Sequence, residues 1–328
     1  MILDIIYIIL GIILILWGAD ALPAGASVIA RRLGVSEFVI GVIIVGLGTS
    51  MPEFTISVIG SITDKPELAI GNVVGSNIVN ILFIVGVTAM IRPLSVTRSI
   101  VINEGPMTAL AAIIVLIMSL GPVLDGTSES ILTRIDGIIL LIFFLLFIRY
   151  LLAQPAETEP AAIDEDAQKE NSKAKTWLSV IKIVGGLAAL IVGGNRFVAG
   201  ASSVATSFGI SEAIIGLTLA AIGTSLPELA TSVLAARKGH VSLALGNVIG
   251  SNILNITLIL GVSATIRPLP FGDVSTVDLC VMTGASVLLW LTCRFYKQLK
   301  ISRAEGLLMM LCYAAYLAWL FASSKNLG

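Results

Sequence analysis

Apolar residues fill this chain in ten long blocks, at about residues 2–22, 37–62, 67–91, 100–121, 131–152, 177–205, 212–236, 241–265, 276–294 and 304–322. A hydrocarbon core about 30 Å thick is crossed by about 20 apolar residues in a helix, and the blocks meet or approach that length. The pattern predicts an all-α, polytopic membrane protein with ten transmembrane helices. No Lys or Arg precedes Arg31, whereas a secretory signal needs a positive n-region; the first block therefore reads as a retained helix.

Between Ala153 and Lys175 the pattern breaks, with Pro155, Pro160, Glu157, Glu159, Asp164, Glu165, Asp166 and Glu170 replacing the apolar run. This stretch reads as an acidic, solvated cytoplasmic linker too short to hold a domain. It divides the chain into a first five-helix half (1–152), the linker (153–175) and a second five-helix half (176–328). Lys and Arg then sort by loop. One face takes Arg31, Arg32, Arg92, Arg98, Arg149, Lys169, Lys173, Lys175, Lys182, Arg237, Lys238, Arg294, Lys297, Lys300 and Arg303, leaving Lys65, Arg134, Arg267 and Lys325 for the other. By the positive-inside rule the first face is cytoplasmic, which puts both termini outside a multi-pass protein of the cell membrane.

Composition agrees. Only 12% of residues are charged, about half the usual share of a soluble domain, and a net charge of −1 without a basic stripe excludes nucleic-acid binding. Cys280, Cys293 and Cys312 show neither CxxC spacing nor an even count, so they read as small hydrophobes.

The halves repeat each other. Shifted by 175, Gly41–Pro93 aligns with Gly216–Pro268 without a gap, about half the positions being identical. GTSMPE (Gly48–Glu53) matches GTSLPE (Gly223–Glu228), and GNVVGSNIVN (Gly71–Asn80) matches GNVIGSNILN (Gly246–Asn255). Five helices per copy is an odd number, so the second copy must enter the membrane upside down. Inverted repeats of this kind are a transporter architecture with the substrate held near the midplane.

Glu53 and Glu228 fall in mid-span. An intramembrane carboxylate costs about 2.5–3.5 kcal/mol on insertion scales, and no Lys or Arg stands at that depth to offset it; bound cations can. Pro52 and Pro227, just before them, delete helical N–H groups and free carbonyls. Thr49, Glu53 and Ser57 lie four apart, as do Asn72, Ser76 and Asn80, and the counterparts are Thr224, Glu228, Ser232, Asn247, Ser251 and Asn255; each set shares a helix face. Asn72 and Asn247 read equally well as ligands or as interhelical glue, and Gly71, Gly75, Gly246 and Gly250 as points of close helix approach. The set offers only oxygen, which excludes zinc and copper; a flexible, broken-helix site suits calcium better than magnesium. Asp20 and its counterpart Asn195, beside Arg196, read as end-of-span residues, and His240 as a solvated loop residue.

The paired GTSxPE and GNxxGSNxxN motifs resemble the two alpha repeats of the calcium/cation antiporter superfamily, in its prokaryotic sodium/calcium exchanger branch. The resemblance implies a calcium site ringed by sodium sites and alternating access by sliding of helices 1 and 6 over the other eight. It assigns calcium to Glu53 and Glu228 with the Thr49 and Thr224 carbonyls. Sodium falls to Ser50, Ser76, Thr224, Ser225 and Ser251, with Thr49 and the carbonyls of Gly46 and Ala221. Asn80 and Asn255 take the remaining corners. Some relatives carry Asp where Asn255 stands, as potassium-dependent ones do in this region; two amides lower the formal charge and count against potassium coupling. Proton-coupled relatives usually place a glutamate soon after GNA, which is missing here.

The sequence thus leads to a secondary active antiporter exchanging calcium for sodium, with a proton/calcium antiporter and a cation channel as alternatives. No HExxH, phosphate-cradling loop or nucleophile elbow suggests an enzyme. The expected partners are calcium, sodium and lipid, with no cofactor, and a monomer as the working unit.

Overall fold

The computed structural model describes residues 2–63, 67–124, 126, 129–154, 176–207, 221–272, 274–295 and 299–324. Among them, eight helices are long and apolar enough to cross a membrane, or nine counting one bent pair. They are α1 (Ile2–Leu33), the bent pair α2 (Glu37–Thr49) and α3 (Met51–Ile62), α4 (Leu68–Ile91), α5 (Ile100–Met118), α6 (Arg134–Ala153) and α7 (Thr176–Ser207). After them come the short α8 (Ala221–Thr224), then α9 (Leu226–Arg237), α10 (Val241–Ile266), α11 (Thr276–Phe295) and α12 (Arg303–Ser324). Most of the linker and the first part of the block at 212–236 lie outside the described residues. Large apolar side chains of α1, α6, α7 and α12 point outward, as lipid-facing helices require, while α10 is enclosed along nearly its whole length.

Two compact units divide the chain, and each draws on both sequence halves: Met1–Thr55 with Leu145–Leu254, and Ile56–Phe144 with Asn255–Gly328.

In the first unit α1 and α7 run antiparallel in close contact. Gly11, Gly18 and Gly25 recur every seven residues on α1, and Gly186, Gly193 and Gly200 stand at the 175 offset on α7. A Cβ at Gly18 would lie 2.5 Å from the Gly186 carbonyl oxygen, and one at Gly25 2.6 Å from that of Ser179. Only glycine lets two backbones come this near. The same contact explains why α1 overruns its expected end near residue 22. Proline inside a helix costs about 3 kcal/mol, yet α1 passes through Pro23, because Ala19, Leu22 and Ala26 around it are wholly buried. Further along, α2 lies on α10: a Cβ at Gly246 would fall 2.4 Å from the Phe38 carbonyl oxygen, and one at Gly250 2.8 Å from the Val42 Cα.

Asp20 pairs with Lys238, in keeping with an end-of-span residue, and the Arg196 guanidinium sits 5.1 Å over the Tyr7 ring. His240 is not solvated; its Nδ1 lies 3.0 Å from Glu37 Oε1 and 3.3 Å from Ser27 Oγ. The α9–α10 turn folds it back onto α1 and α2.

The second unit is cross-linked instead. Two-residue strands tie its loops: β1 (Leu94–Ser95) pairs with β4 (Lys300–Ile301), and β2 (Ile131–Leu132) with β3 (Leu269–Pro270), both antiparallel. Side chains bridge between helices and loops, Trp290 Nε1 donating to the Val101 carbonyl at 3.0 Å and Arg303 Nε to that of Met90 at 3.1 Å. Buried Cys293 is a small hydrophobe as expected, whereas Cys280 is exposed on α11.

Candidate functional site

The two proline–glutamate segments break their helices in the same way. Ser50 leaves the helix at φ −82°, ψ 7° and Ser225 at φ −90°, ψ 4°, in the sparsely populated region where many active-site residues sit. Between α2 and α3 the axis bends by 50°. Each following helix opens on the carbonyl of the break residue, Phe54 N–H donating to Ser50 at 2.9 Å and Leu229 N–H to Ser225 at 3.0 Å.

Both breaks lie in the first unit, and residues of the two sequence copies meet there. Ser50 Oγ donates to Glu228 Oε1 at 3.2 Å. Thr49 Oγ1 lies 3.0 Å from Asn247 Oδ1, and Ser251 Oγ donates to the Gly46 carbonyl at 3.5 Å. Thr49, Ser50, Glu53, Ser225, Glu228 and Ser251 are all buried, and Thr224 is half-buried. Among the described residues Glu228 Oε2 and Ser225 Oγ have no hydrogen-bond partner. Burying such oxygens unsatisfied is costly, and a cation would offset that cost. The Ala221 side chain lies outside the described residues, its backbone opening α8.

Asn72 and Asn247 resolve as glue. Asn72 Nδ2 donates to Ser57 Oγ at 3.0 Å within the second unit, and Asn247 Nδ2 to Ser232 Oγ at 2.9 Å within the first. The two bonds are copies of one another at the 175 offset. With Thr49 donating to its oxygen, Asn247 is engaged at both ends of its amide.

Asn80, Asn255 and Ser76 belong to the second unit and are buried there. Neither amide lies on a plain α-helix. The ladder changes to π spacing over Val79–Val85 and again over Asn255–Leu260. Such turns are rare and common at functional sites. Asn255 Nδ2 donates to Asn77 Oδ1 at 3.1 Å. Among the described residues the Oδ1 atoms of Asn80 and Asn255 are buried without a partner.

No cluster of three or more His, Cys, Asp or Glu occurs among the described residues. What the structure offers is oxygen from carboxylate, hydroxyl, amide and carbonyl groups, a donor set for hard cations. Sequence reasoning passed over Asn77, although its identity with Asn252 inside the repeated motif was a usable signal. The seven-residue glycine spacing, also repeated at the offset, was another.

The family model described as sodium/calcium exchanger protein matches residues 3–153 and 178–322. Membrane protein MJ0091 of Methanocaldococcus jannaschii is 37% identical over 318 residues, covering 97% of this chain and 98% of its own. Sodium/calcium exchanger MaX1 of Methanosarcina acetivorans is 32% identical over 352 residues, covering 97% and 98%. Among solved structures, the sodium-calcium exchanger NCX_Mj soaked with sodium and calcium superposes with a TM-score of 0.81 at 34% identity, over 97% of this chain and 98% of that one.

Proposed function

The chain belongs to the sodium/calcium exchanger protein family, and from that premise we propose that Glu53 and Glu228 are the shared carboxylates through which calcium and sodium compete. It is a membrane antiporter that exchanges sodium for calcium. The observation carrying the site assignment is the bond from Ser50 in the first break to Glu228 in the second, which joins the two repeated motifs through their chemistry-bearing side chains.

Around the carboxylates the site takes the Thr49 and Thr224 carbonyls for calcium. Ser50, Ser225, Ser76, Ser251, Thr49, Thr224 and the Gly46 and Ala221 carbonyls serve sodium, with Asn80 and Asn255 as neutral oxygen donors. Two carboxylates balance one calcium ion. Calcium and the full sodium complement cannot share them, and the empty pair carries two charges that are costly to move through an apolar interior. Exchange follows from that competition, since an ion shifts a two-state transporter only by its differential affinity for the states.

The full architecture is ten helices in two inverted repeats. The antiparallel run of α1 and α7, counterparts at the 175 offset, supports the inversion. Both termini lie outside. In support, β1 and β4 join two loops that the Lys and Arg count puts on the cytoplasmic face, and β2 and β3 join two that it puts outside. The sequence halves 1–152 and 176–328 are the repeating units, joined by the linker 153–175. The protein works as a monomer without a cofactor, as a transporter and not an enzyme.

The test is calcium uptake into sodium-loaded proteoliposomes. Uptake that collapses with the sodium gradient is expected. Uptake that persists without sodium and follows a pH gradient would overturn sodium coupling, and non-saturating currents would make the protein a channel.

A further inference from the structure

Asn255 carries an amide, and an amide has one end that binds a cation and one that repels it. Which end faces an ion is set by what holds the other. In the second unit Asn255 Nδ2 donates to Asn77 Oδ1 at 3.1 Å, while Asn255 Oδ1 is buried with no partner among the described residues. Asn77 is itself buried. Its own amide is oriented in turn, with Nδ2 on the Met282 sulfur at 3.8 Å, a weak acceptor that leaves Oδ1 turned to Asn255. The chain of contacts therefore runs from Met282 through Asn77 to Asn255 and ends at an oxygen.

We propose that Asn77 is a positioning residue for ion exchange: it holds the Asn255 amide with Oδ1 available to calcium or sodium and Nδ2 turned away. This rests on the reading of Asn255 as a donor to the transported ions. Hard cations are bound through oxygen. Turned over, the same side chain would present two N–H groups to a positive charge and leave Asn77 Oδ1 without its donor. Asn77 makes no ligand bond in this proposal; it acts through Asn255 alone.

The physical content is a dependence. Asn77 matters only while residue 255 has two unlike ends. A carboxylate at 255 has two oxygens, so its rotation no longer changes what an ion meets and no partner is needed to orient it.

The experiment is a double-mutant cycle in proteoliposomes, measuring calcium-dependent exchange with calcium varied. Asn77→Leu is expected to raise the calcium concentration for half-maximal exchange about tenfold, the scale of one lost hydrogen bond at a site, with a smaller effect on the maximal rate. In the Asn255→Asp background the same substitution is expected to have no further effect on half-saturation. Asn77→Asp, which keeps the acceptor for Asn255 Nδ2, is expected to stay near the parent in half-saturation, and this arm decides the matter if Asn77→Leu fails to fold in detergent. An equal penalty from Asn77→Leu in both backgrounds, or a loss in Asn77→Asp as large as in Asn77→Leu, would reduce Asn77 to a packing residue and overturn the proposal. Glu228→Gln is run alongside: exchange unimpaired in that variant would reject the site reading itself, whereas exchange lost there with additive Asn77 effects rejects only the role given to Asn77.

Discussion

The two compact units hold their helices together by opposite means. In the first, α1 and α7 meet backbone to backbone through glycines spaced by seven, with side-chain contacts such as Arg196 over Tyr7 added between them. In the second, paired two-residue strands and side-chain-to-carbonyl bonds such as Trp290 to Val101 fasten loops and helices at many points. Glycines at seven-residue intervals hold α1 and α7 in register, because a shift of a few residues would bring a Cβ against the opposing backbone, whereas strands and side-chain bonds brace the second unit at separate points. The first unit also contains Glu53 and Glu228, both buried. The comparison teaches that the part carrying Glu53 and Glu228 is joined mainly by close backbone contact at glycine, and the other part by directional bonds.

The largest effect should come from the charge itself. Removing one partner of a buried ionic interaction costs about 3–5 kcal/mol, so Glu53→Gln or Glu228→Gln should weaken calcium half-saturation by about two to four orders of magnitude and nearly abolish exchange. Calcium-dependent uptake in proteoliposomes reads this directly, and parental transport in either variant would break the comparison at its functional end.

Next is the glycine contact. Gly18→Leu would force side-chain atoms into the Gly186 carbonyl, costing more than the about 1–3 kcal/mol of ordinary overpacking because backbone stands opposite. The thermal midpoint in detergent should fall sharply. Gly284→Leu, on an exposed face of α11 with no close neighbour among the described residues, should leave it unchanged. Equal behaviour of the two would show that α1 and α7 are not held as closely as the comparison requires.

A smaller effect is expected from Trp290→Phe, which removes one bond worth about 0.5–1.5 kcal/mol. The midpoint should drop by a few degrees while calcium half-saturation stays constant, separating bracing from binding. Smallest of all, Lys238→Ala breaks a half-exposed pair with Asp20 worth about 0–1 kcal/mol, and neither stability nor exchange should change measurably.

Much of this was legible beforehand. Apolar length located the spans, and the 175 offset revealed the repeat and both glutamates, because hydropathy and identity are properties of residue order alone. Three features were not. The first apolar block ended near residue 22, but α1 runs on through Pro23 to Leu33, since burial of Ala19 and Leu22 against the rest of the first unit overrode a local preference. The π spacing that begins at Val79, one residue before Asn80, was not readable from the sequence, because a change in the hydrogen-bond ladder leaves no mark in composition. His240 stood in a charged loop and read as solvated, yet the turn carries it to Glu37, a contact between residues some two hundred positions apart. Local sequence cannot report such proximity. Asn77 is a different case, since its repetition as Asn252 was visible and its role became clear only when its partner was.

From Gly11 to Gly25 is 14 residues, about 21 Å along a helix at 1.5 Å per residue, set against a hydrocarbon layer about 30 Å thick. Acyl chains therefore find no gap to wedge into over most of that depth. To the surrounding lipid, α1 and α7 present the outline of one broad plank, and any travel of either through the bilayer drags its twin along with it.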